Sequence, residues 1–356
     1  MKISLENVTT LNLLKLLCAG EGVEINISAL SKELNKHRNT VKDRVNQLLN
    51  YNIIEKPFYP LLWLFNKYPL LVISKDKFHR DEATRTFIEN DPHILAGYFF
   101  QEEVYNTLTI QFHEDLYSYQ TWSDNVLENE KIIKEEERHP PDTLLFSTKR
   151  ILKYDTSAPF RIIERGFKNG EINEIGNLKL DSLLINVLKL ILNGKAIRTN
   201  ENFLARTLNV NRSTIIRQIQ ILVQERIIGR PTSRFPLTFV PPDYMLILSL
   251  YEIKKRCKEV EGFFRRDPRV PLLIKANAGR YNYFVASTFK TVEDHIKWQE
   301  KYTQNFHACI EAIKNTYLSP AMTFSINQNF VSQELIKKKL LLVKEKELTR
   351  NYNMDL

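Results

Sequence analysis

Two stretches of the chain carry basic, amide and hydroxyl side chains in a spacing that suits contact with a nucleic acid. They are HRNTVKDRVNQLLNYNIIEKP at 37–57 and NRSTIIRQIQILVQERIIGRP at 211–231, and six of their 21 aligned positions are identical. The polar candidates are Arg38, Asn39, Thr40, Lys42 and Arg44 in the first stretch and Arg212, Ser213, Thr214, Arg217 and Gln218 in the second. An arginine fork can hydrogen-bond to guanine or phosphate, and an asparagine can pair with adenine. We therefore predict that both stretches contact double-stranded DNA.

The apolar residues of the same stretches follow a helical period. They recur at i, i+4 and i+7, as Val41, Val45 and Leu48 in the first stretch and as Ile215, Ile219 and Leu222 in the second. This spacing predicts one buried helix face and leaves the polar candidates on the other. A short helix is predicted before each stretch, at 28–35 and 201–209. The gap of about three residues between each pair of helices predicts a helix-turn-helix.

A wing is predicted to follow the second helix-turn-helix. Ile227-Ile228 begin a strand, and GRPTSRFPLTF at 229–239 is typical of a turn and a returning strand. Arg230 and Arg234 would lie on this wing, where we predict that they contact the DNA backbone.

The distribution of charge agrees with a polyanionic partner. The formal net charge is +9, and residues 181–234 hold nine Lys or Arg against three acids, a balance of +6. Residues 1–57 hold eight basic against six acidic residues, a balance of +2. Neutralisation of phosphates requires such an excess. The alternative interpretation is that these charges are only the solvated faces of surface helices.

The repeat extends far beyond these helices. At an offset of 176 residues the aligned pairs are Tyr68 with Tyr244, Asp91-Pro92 with Asp267-Pro268 and Trp122 with Trp298. The matched residues occur in the same order in both halves, and the offset between them changes by only a few residues along the chain. This pattern predicts a tandem duplication of a unit of roughly 155 residues. After each helix-turn-helix, apolar runs alternate as βαββαβ, which closes as a four-stranded antiparallel sheet with both helices on one face. The predicted class is α+β, with two winged helix-turn-helix domains and two ferredoxin-like domains.

These elements divide the chain into six predicted segments. They are a winged helix-turn-helix domain at 1–57, a ferredoxin-like domain at 66–156, a linker at 157–179, a second winged helix-turn-helix domain at 180–239, a second ferredoxin-like domain at 242–331 and a basic C-terminal helix at 332–356. Each winged helix-turn-helix domain and the ferredoxin-like domain after it form one module, module one at 1–156 and module two at 180–331. Because one chain holds both modules, we predict an internal pseudo-dimer.

Composition narrows the class of protein. The chain has 356 residues, 43% hydrophobic and 26% charged, as in ordinary globular proteins. Cys18, Cys257 and Cys309 are far apart in sequence and odd in number, so we predict no disulfide framework and a reducing, cytoplasmic location. The most apolar stretch, 59–74, is broken by prolines and by Asn66-Lys67, which argues against a membrane span.

Signals for other chemistry are weak. The seven histidines are scattered, and His307 with Cys309 at i, i+2 do not share a helix face. The sequence contains no glycine-rich phosphate loop and no nucleophile elbow. We therefore predict no catalytic residue, no metal site, no cofactor and no enzyme activity.

Several segments, in their order along the chain, resemble the leucine-responsive regulatory protein/AsnC (feast/famine) family. They are FSTKRILKYD (146–155), LDSLLINVLKLIL (180–192), LARTLNVNRSTIIRQIQILVQERII (204–228) and GRYNYFVAST (279–288). The resemblance implies a transcriptional regulator that binds DNA, assembles into homo-oligomers through its βαββαβ domains and responds to a small, amino-acid-like effector. This chain departs from the family in carrying two modules, and in having Asn106 and Asn282 where an aspartate is common.

Two alternatives to a regulator stay open. Ile216, Ile221 and the apolar segment 58–65 favour an adaptor whose winged helices contact protein. The chain also resembles the sirohaem decarboxylases, which have two related modules with Tyr-Asn in the hairpin, as at 105–106 and 281–282. Those enzymes place a histidine just before that pair, where this chain has Glu103-Val104 and Gly279-Arg280. The sequence therefore favours the regulator over the enzyme.

Overall fold

The computed structural model describes residues 5–100, 102, 104–133, 139–236, 240–254, 257–276, 280–318 and 328–354. The helices of this part are α1 (Val8–Ala19), α2 (Ile27–Leu34), α3 (Arg38–Asn50), α4 (Trp63–Lys67), α5 (Glu82–Asn90), α6 (Leu116–Leu127), α7 (Phe160–Lys168), α8 (Ser182–Leu192), α9 (Glu201–Leu208), α10 (Arg212–Gln224), α11 (Lys258–Arg266), α12 (Val292–Asn305) and α13 (Gln328–Met354). The strands are β1 (Val23–Ile25), β2 (Leu70–Asp76), β3 (Ile94–Phe99), β4 (Thr107–His113), β5 (Asp142–Ser147), β6 (Ile151–Tyr154), β7 (Glu174–Ile175), β8 (Leu178–Lys179), β9 (Ile197–Thr199), β10 (Met245–Ile253), β11 (Leu272–Lys275), β12 (Tyr283–Phe289) and β13 (Ile310–Leu318). None of these helices is long and apolar enough to cross a membrane.

Each half of the chain begins with three helices whose tight corner is made by an asparagine. Asn35 ends α2 at φ 48°, and Asn209 ends α9 at φ 51°. Asparagine tolerates this left-handed conformation better than most residues, so the chain can turn at once into the next helix. The predicted helix-turn-helix is thus present twice, with α3 and α10 as the third helices.

The two three-helix domains are joined through short strands. β1 pairs antiparallel with β9, and Glu24 lies opposite Arg198. The segment that follows α3 pairs with the one that follows α10, through bridges of Phe58 with Thr232 and of Leu61 with Ile228. The second segment was predicted to return on itself as a wing; instead, its residues 228–234 lie along the first module. Residues 237–239 of the predicted wing are outside the described residues.

Each module also contains one ferredoxin-like sheet. The strand orders are β3-β4-β2-β5 in module one and β13-β10-β12-β11-β6 in module two. The sheets pack face to face through apolar side chains, and the rings of Phe146 and Phe284 lie 5.8 Å apart. Helices α5 and α6 cover the outer face of the first sheet, and α11 and α12 that of the second. This arrangement agrees with the predicted internal pseudo-dimer, because the chain supplies both sheets.

One strand crosses from the first module to the second. The sequence predicts a single strand at 143–154, but a 3₁₀ turn at 148–150 divides it into β5 and β6. Thr148 stabilises the turn, because its hydroxyl donates to the carbonyl of Phe65 at 3.0 Å. After the turn, β6 pairs with β11 and becomes the fifth strand of the second sheet.

The same two hydrogen-bonded braces occur in both modules. The indole N–H of Trp122 donates to Asp91 at 2.9 Å, and that of Trp298 donates to Asp267 at 2.7 Å. The amide of Asn106 both donates to and accepts from the backbone of Phe78. The amide of Asn282 does the same with Ile253. The repeated aspartates, tryptophans and asparagines of the sequence therefore hold helix to sheet and hairpin to loop.

The segment predicted as a linker is structured. It contains α7 and the small hairpin of β7 and β8. Phe160 and Ile163 are buried, and Gly166 lies so close to Ile172 that an added Cβ would be 2.4 Å from its Cδ1. The close approach explains why this helix position is a glycine.

Two further contacts join residues that are distant in sequence. Cys257 and Cys309 form a disulfide with a Cα–Cα distance of 5.7 Å, which corrects the prediction that none would form. The C-terminal helix α13 packs on α1 with Leu335, Ile336 and Leu340 buried, and Lys339 is ion-paired with Glu6.

Candidate nucleic-acid interface

Helix α3 presents a polar face to solvent. Val41, Val45 and Leu48 are at most 3% exposed and hold the helix on the core. The other face carries four of the predicted DNA contacts, all exposed, which are Arg38, Asn39, Thr40 and Lys42. The ring nitrogen of His37 accepts from the backbone N–H of Asn39 at 3.3 Å and caps the helix start.

Arg44, the fifth candidate on α3, is bound within the protein. Its guanidinium lies 2.5 Å from the carboxylate of Asp181 and donates to Gln47 at 2.9 Å. Asp181 also caps α8, because it accepts from the backbone N–H of Leu184 at 2.8 Å. Arg44 thus links α3 to the first helix of the second module, and contact with DNA would require it to leave this pair.

Helix α10 presents the equivalent face of module two. Its exposed candidates are Arg212, Ser213, Thr214 and Arg217. Arg212 lies 3.5 Å from Glu201 on the preceding helix, while its side chain is 58% exposed. Gln218 differs from the prediction, because it is half-buried and its amide oxygen has no hydrogen-bond partner within the described structure. Ile216 and Ile221 are half-buried rather than freely exposed.

The two arginines of the predicted wing have opposite environments. Arg230 is exposed. Arg234 is 2% exposed, its Nε donates to Glu55 at 2.6 Å, and its guanidinium lies 5.0 Å from the ring centre of Phe58. Burial raises the pKa of Glu55 although Arg234 opposes the shift. The prediction that Arg234 contacts DNA is therefore wrong, because its charge is enclosed between the modules.

The remaining cationic side chains are suited to phosphate contact. Within the described residues, Arg38, Lys42 and Arg230 have no ion-pair partner. Arg38 stands at the first turn of α3, where the free backbone N–H groups and the helix dipole also attract anions. The exposed Asp43 on the same helix opposes this field. The two helices can therefore offer hydrogen-bond donors and positive charge to a duplex.

A polar cluster between the sheets was not predicted. Lys75 is ion-paired with Glu102, and Lys314 of the second module lies 3.3 Å from Asp142 of the first. The hydroxyl of Thr316 donates to Glu102 at 3.4 Å. Burial lowers the pKa of Lys75. Lys75 and Glu102 are 27 residues apart within module one, and the other two contacts join the two modules, so no local sequence pattern could have indicated this cluster.

The hairpin pairs at 105–106 and 281–282 have structural partners. The hydroxyl of Tyr105 donates to the carbonyl of Pro140 at 3.1 Å. The guanidinium of Arg280 lies 5.5 Å from the ring centre of Tyr281 and is paired with Glu252 at 2.8 Å. The positions predicted to replace the histidine of a decarboxylase include Glu103 and Gly279, which lie outside the described residues.

Comparison with known proteins gives likeness in structure. No protein-family model and no curated protein matches the chain. A structure of the siroheme decarboxylase NirDL with an iron-uroporphyrin III analogue is similar over 89% of this chain and 93% of its own, with a TM-score of 0.51 and 14% identity. The Neisseria meningitidis regulator NMB0573, bound to L-Met, is similar over 48% of this chain and 93% of its own, with a TM-score of 0.29 and 11% identity. LrpC of B. subtilis is similar over 45% of this chain and 91% of its own, with a TM-score of 0.25 and 10% identity.

These similarities correct one prediction. The chain was predicted not to be an enzyme, yet the structure that resembles it over 89% of its length is that of an enzyme. The prediction is wrong, because this arrangement of two modules is one that an enzyme uses. At such low identity, what the comparisons show is the fold: helix-turn-helix domains combined with ferredoxin-like domains.

Proposed function

We propose that the chain is a sequence-specific double-stranded DNA-binding transcriptional regulator of the Lrp/AsnC type, derived by tandem duplication. One observation carries the proposal. Matched polar residues at the starts of α3 and α10, such as Arg38 with Arg212 and Thr40 with Thr214, are exposed in both modules. Solvation alone requires polar residues on these faces but not the same residues at equivalent positions, so the repetition favours a shared ligand.

The two helices would divide the work of recognition. Asn39 on α3 is suited to pair with adenine, and Arg38 to form a fork to guanine or phosphate. Helix α10 adds Arg212 and Arg217, and Arg230 adds charge nearby for backbone contact. Because α3 and α10 differ at most polar positions, the preferred site would be two unlike half-sites rather than a perfect palindrome.

Assembly and regulation follow the same proposal. The inner faces of the two sheets already cover each other, so any homo-oligomer of the βαββαβ domains would use edges or helices instead. A small, amino-acid-like effector would act by changing how the sheets hold the two helix-turn-helix domains.

The test is duplex binding measured by fluorescence anisotropy, with sites selected from random DNA and titrated with salt. We expect the wild-type affinity to fall steeply with salt. Arg38→Ala with Lys42→Ala, and separately Arg212→Ala with Arg217→Ala, should each weaken binding by about tenfold or more and lower the salt slope by about 2. Lys149→Ala with Arg150→Ala removes equal charge from exposed residues of the sheet region and should change little. Equal affinity in all four proteins would refute the proposal.

A second candidate is decarboxylation of a tetrapyrrole, and the likeness to siroheme decarboxylase over 89% of the chain favours it. The two lysines of the inter-sheet cluster, Lys75 and Lys314, could exchange their carboxylate partners for those of such a substrate. The amides of Asn106 and Asn282 are occupied by backbone, so they would position the hairpins rather than contact substrate.

Titration of the chain with siroheme, followed by absorbance and by release of carbon dioxide, tests this candidate. Binding that is lost in Lys75→Met and Lys314→Met but kept in Lys149→Met would support it. An unchanged spectrum at micromolar protein and siroheme would exclude it without affecting the DNA-binding test.

A further inference from the structure

A pocket of about 250 Å³ opens where strand β12 of module two meets the segment between the modules. The residues of its wall that matter here are Glu171, Tyr244, Arg269, Thr288, Lys290 and Asp294. No residue of this pocket is among the predicted DNA contacts. Its wall combines residues from both sides of a junction, which is a common place for small-molecule sites.

Arg269 is a half-buried cation in this wall. Its guanidinium lies 5.8 Å from the ring centre of Phe289, and it forms no ion pair within the described structure. Its backbone is fixed, since its N–H donates to Asp267 at 2.7 Å and its carbonyl accepts from Thr288 at 2.9 Å. A partly buried guanidinium without a counter-ion gains strongly from an anion, because its own solvation is already reduced.

Thr288 supplies a second unsatisfied group. The residue is fully buried, and its hydroxyl has no hydrogen-bond partner among the described residues. A buried hydroxyl normally has a partner, because an unmade hydrogen bond costs about 1–3 kcal/mol. A ligand oxygen in the pocket would provide one.

The corresponding residues of module one differ from those of the pocket in charge and hydrogen-bonding capacity. The carbonyl of His93 accepts from the N–H of Phe112 at 2.9 Å, the same bond that joins Arg269 and Thr288. Glu114 lies two residues after Phe112 and corresponds to Lys290 of module two. It is ion-paired with Lys67 at 2.8 Å. Module one thus has an imidazole, a phenyl ring and a carboxylate where module two has a guanidinium, a hydroxyl and an ammonium group.

We propose that this pocket of module two binds a small molecule through one oxyanion group, either a carboxylate or a phosphate. Arg269 forms the charged fork, Thr288 donates its hydroxyl and Lys290 adds a second positive charge. Glu171 and Asp294 are exposed at the same pocket, so the rest of the ligand is neutral or cationic. The proposal does not depend on DNA binding.

The experiment is calorimetric titration of the full chain with inorganic phosphate and, separately, with acetate, at constant ionic strength set with chloride. We expect one saturable site for at least one of the two anions, and the stronger of the two identifies the source of the oxyanion. Arg269→Gln should weaken it by about tenfold or more. Lys290→Glu, which installs the charge of module one at an exposed position, should abolish it.

Two variants separate binding from folding. Thr288→Val keeps the shape and removes the unpartnered hydroxyl, so the free protein should be at least as stable while binding weakens several-fold. Arg280→Gln removes an exposed guanidinium elsewhere in module two and should bind like the wild type. No saturable binding of either anion, or equal binding by Lys290→Glu and Arg280→Gln, would overturn the proposal.

Discussion

The buried side chains between each sheet and the helices on its outer face differ in polarity between the two modules. In module one the residues of β2 and β4 on this face include Ser74, Asp76, Thr109, Gln111 and His113, all buried. The hydroxyl of Ser74 donates to Asp76 at 2.8 Å, and Gln111 is hydrogen-bonded to both Thr109 and His113. The paired positions of β10 and β12 in module two are Ile247, Ser249, Tyr251, Val285, Ser287 and Phe289. One module holds a polar network where the other has mainly apolar contacts.

The difference teaches which residues specify the fold. Both modules have the aspartate–tryptophan and asparagine–backbone bonds, while the side chains between helix and sheet differ. The buried histidines also lie on opposite sides. The ring centre of His113, on the sheet, is 5.2 Å from that of Tyr119 on the helix, and the ring centre of His295, on the helix, is 5.0 Å from that of Phe289 on the sheet. The two modules share the braces and the apolar periodicity, and one fold accommodates different interiors around them.

The largest expected difference concerns the disulfide of module two. Cys257 stands at the N-cap position of α11 without a capping hydrogen bond from its side chain. Module one has Asp81 at this position, and its carboxylate accepts from the backbone N–H of Thr84 at 2.8 Å. Reduction, or Cys257→Ser, should lower the free energy of unfolding of module two by up to about 4 kcal/mol, because the bond closes a loop of 52 residues. Hydrogen exchange of β12 and β4 measures this by module. Equal loss of protection in both strands would contradict a local effect.

The next difference depends on pH and distinguishes the polar interior of module one. Burial raises the pKa of Asp76 to about 7, so its contribution to stability is present in acid and is lost as the pH rises from about 4 to about 7. Asp76→Asn should remove this loss, about 4 kcal/mol across that range, as measured by urea denaturation at each pH. The same slope in both proteins would show that Asp76 is not buried as a neutral acid.

The histidines act in the opposite direction. Burial lowers the pKa of His113 to about 3 and that of His295 to about 4, so each stabilises near neutrality and loses that contribution as the pH falls below its ordinary value of about 6.5. In wild-type module one the two trends partly cancel, whereas module two has no buried carboxylate of this kind among its described outer-face residues. As the pH is lowered, module two should therefore unfold at a higher pH than module one.

The interface between the modules offers a smaller test. Arg234→Ala leaves Glu55 without its partner and should cost about 3 kcal/mol, measured by urea denaturation. Its aligned position in module one is Pro60, so only module two supplies an arginine at this position. The exposed Arg230→Ala is the matched control, with an expected change within about 0.5 kcal/mol. Similar costs for the two variants would contradict the buried pair.

The smallest expected difference lies between the two braces. Asp267 accepts from Tyr302 at 2.8 Å in addition to Trp298, whereas Asp91 accepts from Trp122 without a tyrosine. Asp267→Ala should therefore cost about 1 kcal/mol more than Asp91→Ala, which itself should cost about 2 kcal/mol. Thermal denaturation of the two variants checks the order. A larger cost for Asp91→Ala would mean that the extra hydrogen bond contributes nothing.

The sequence predicted what depends on local period and on repetition. The helix-turn-helix corners, both βαββαβ orders and the exposed starts of α3 and α10 follow from apolar spacing and from the 174- and 176-residue offsets. The failures share another cause. Arg234 meets Glu55 across 179 residues, and Cys257 meets Cys309 across 52. A pattern within one segment carries no information about a partner so far along the chain, and the lining of the anion pocket was missed for the same reason.

The pairing of strand β6 with β11 has a consequence for co-translational folding. Residues 151–154 leave the exit tunnel well before 272–275, the stretch to which they must attach. At ordinary rates of translation the interval is roughly ten seconds, during which the β6 segment has no partner strand and its backbone hydrogen-bonding groups are unpaired. If the two halves were encoded as separate polypeptides, β6 would pair with β11 in a bimolecular step whose rate depends on protein concentration. In one chain the pairing is intramolecular and does not depend on concentration.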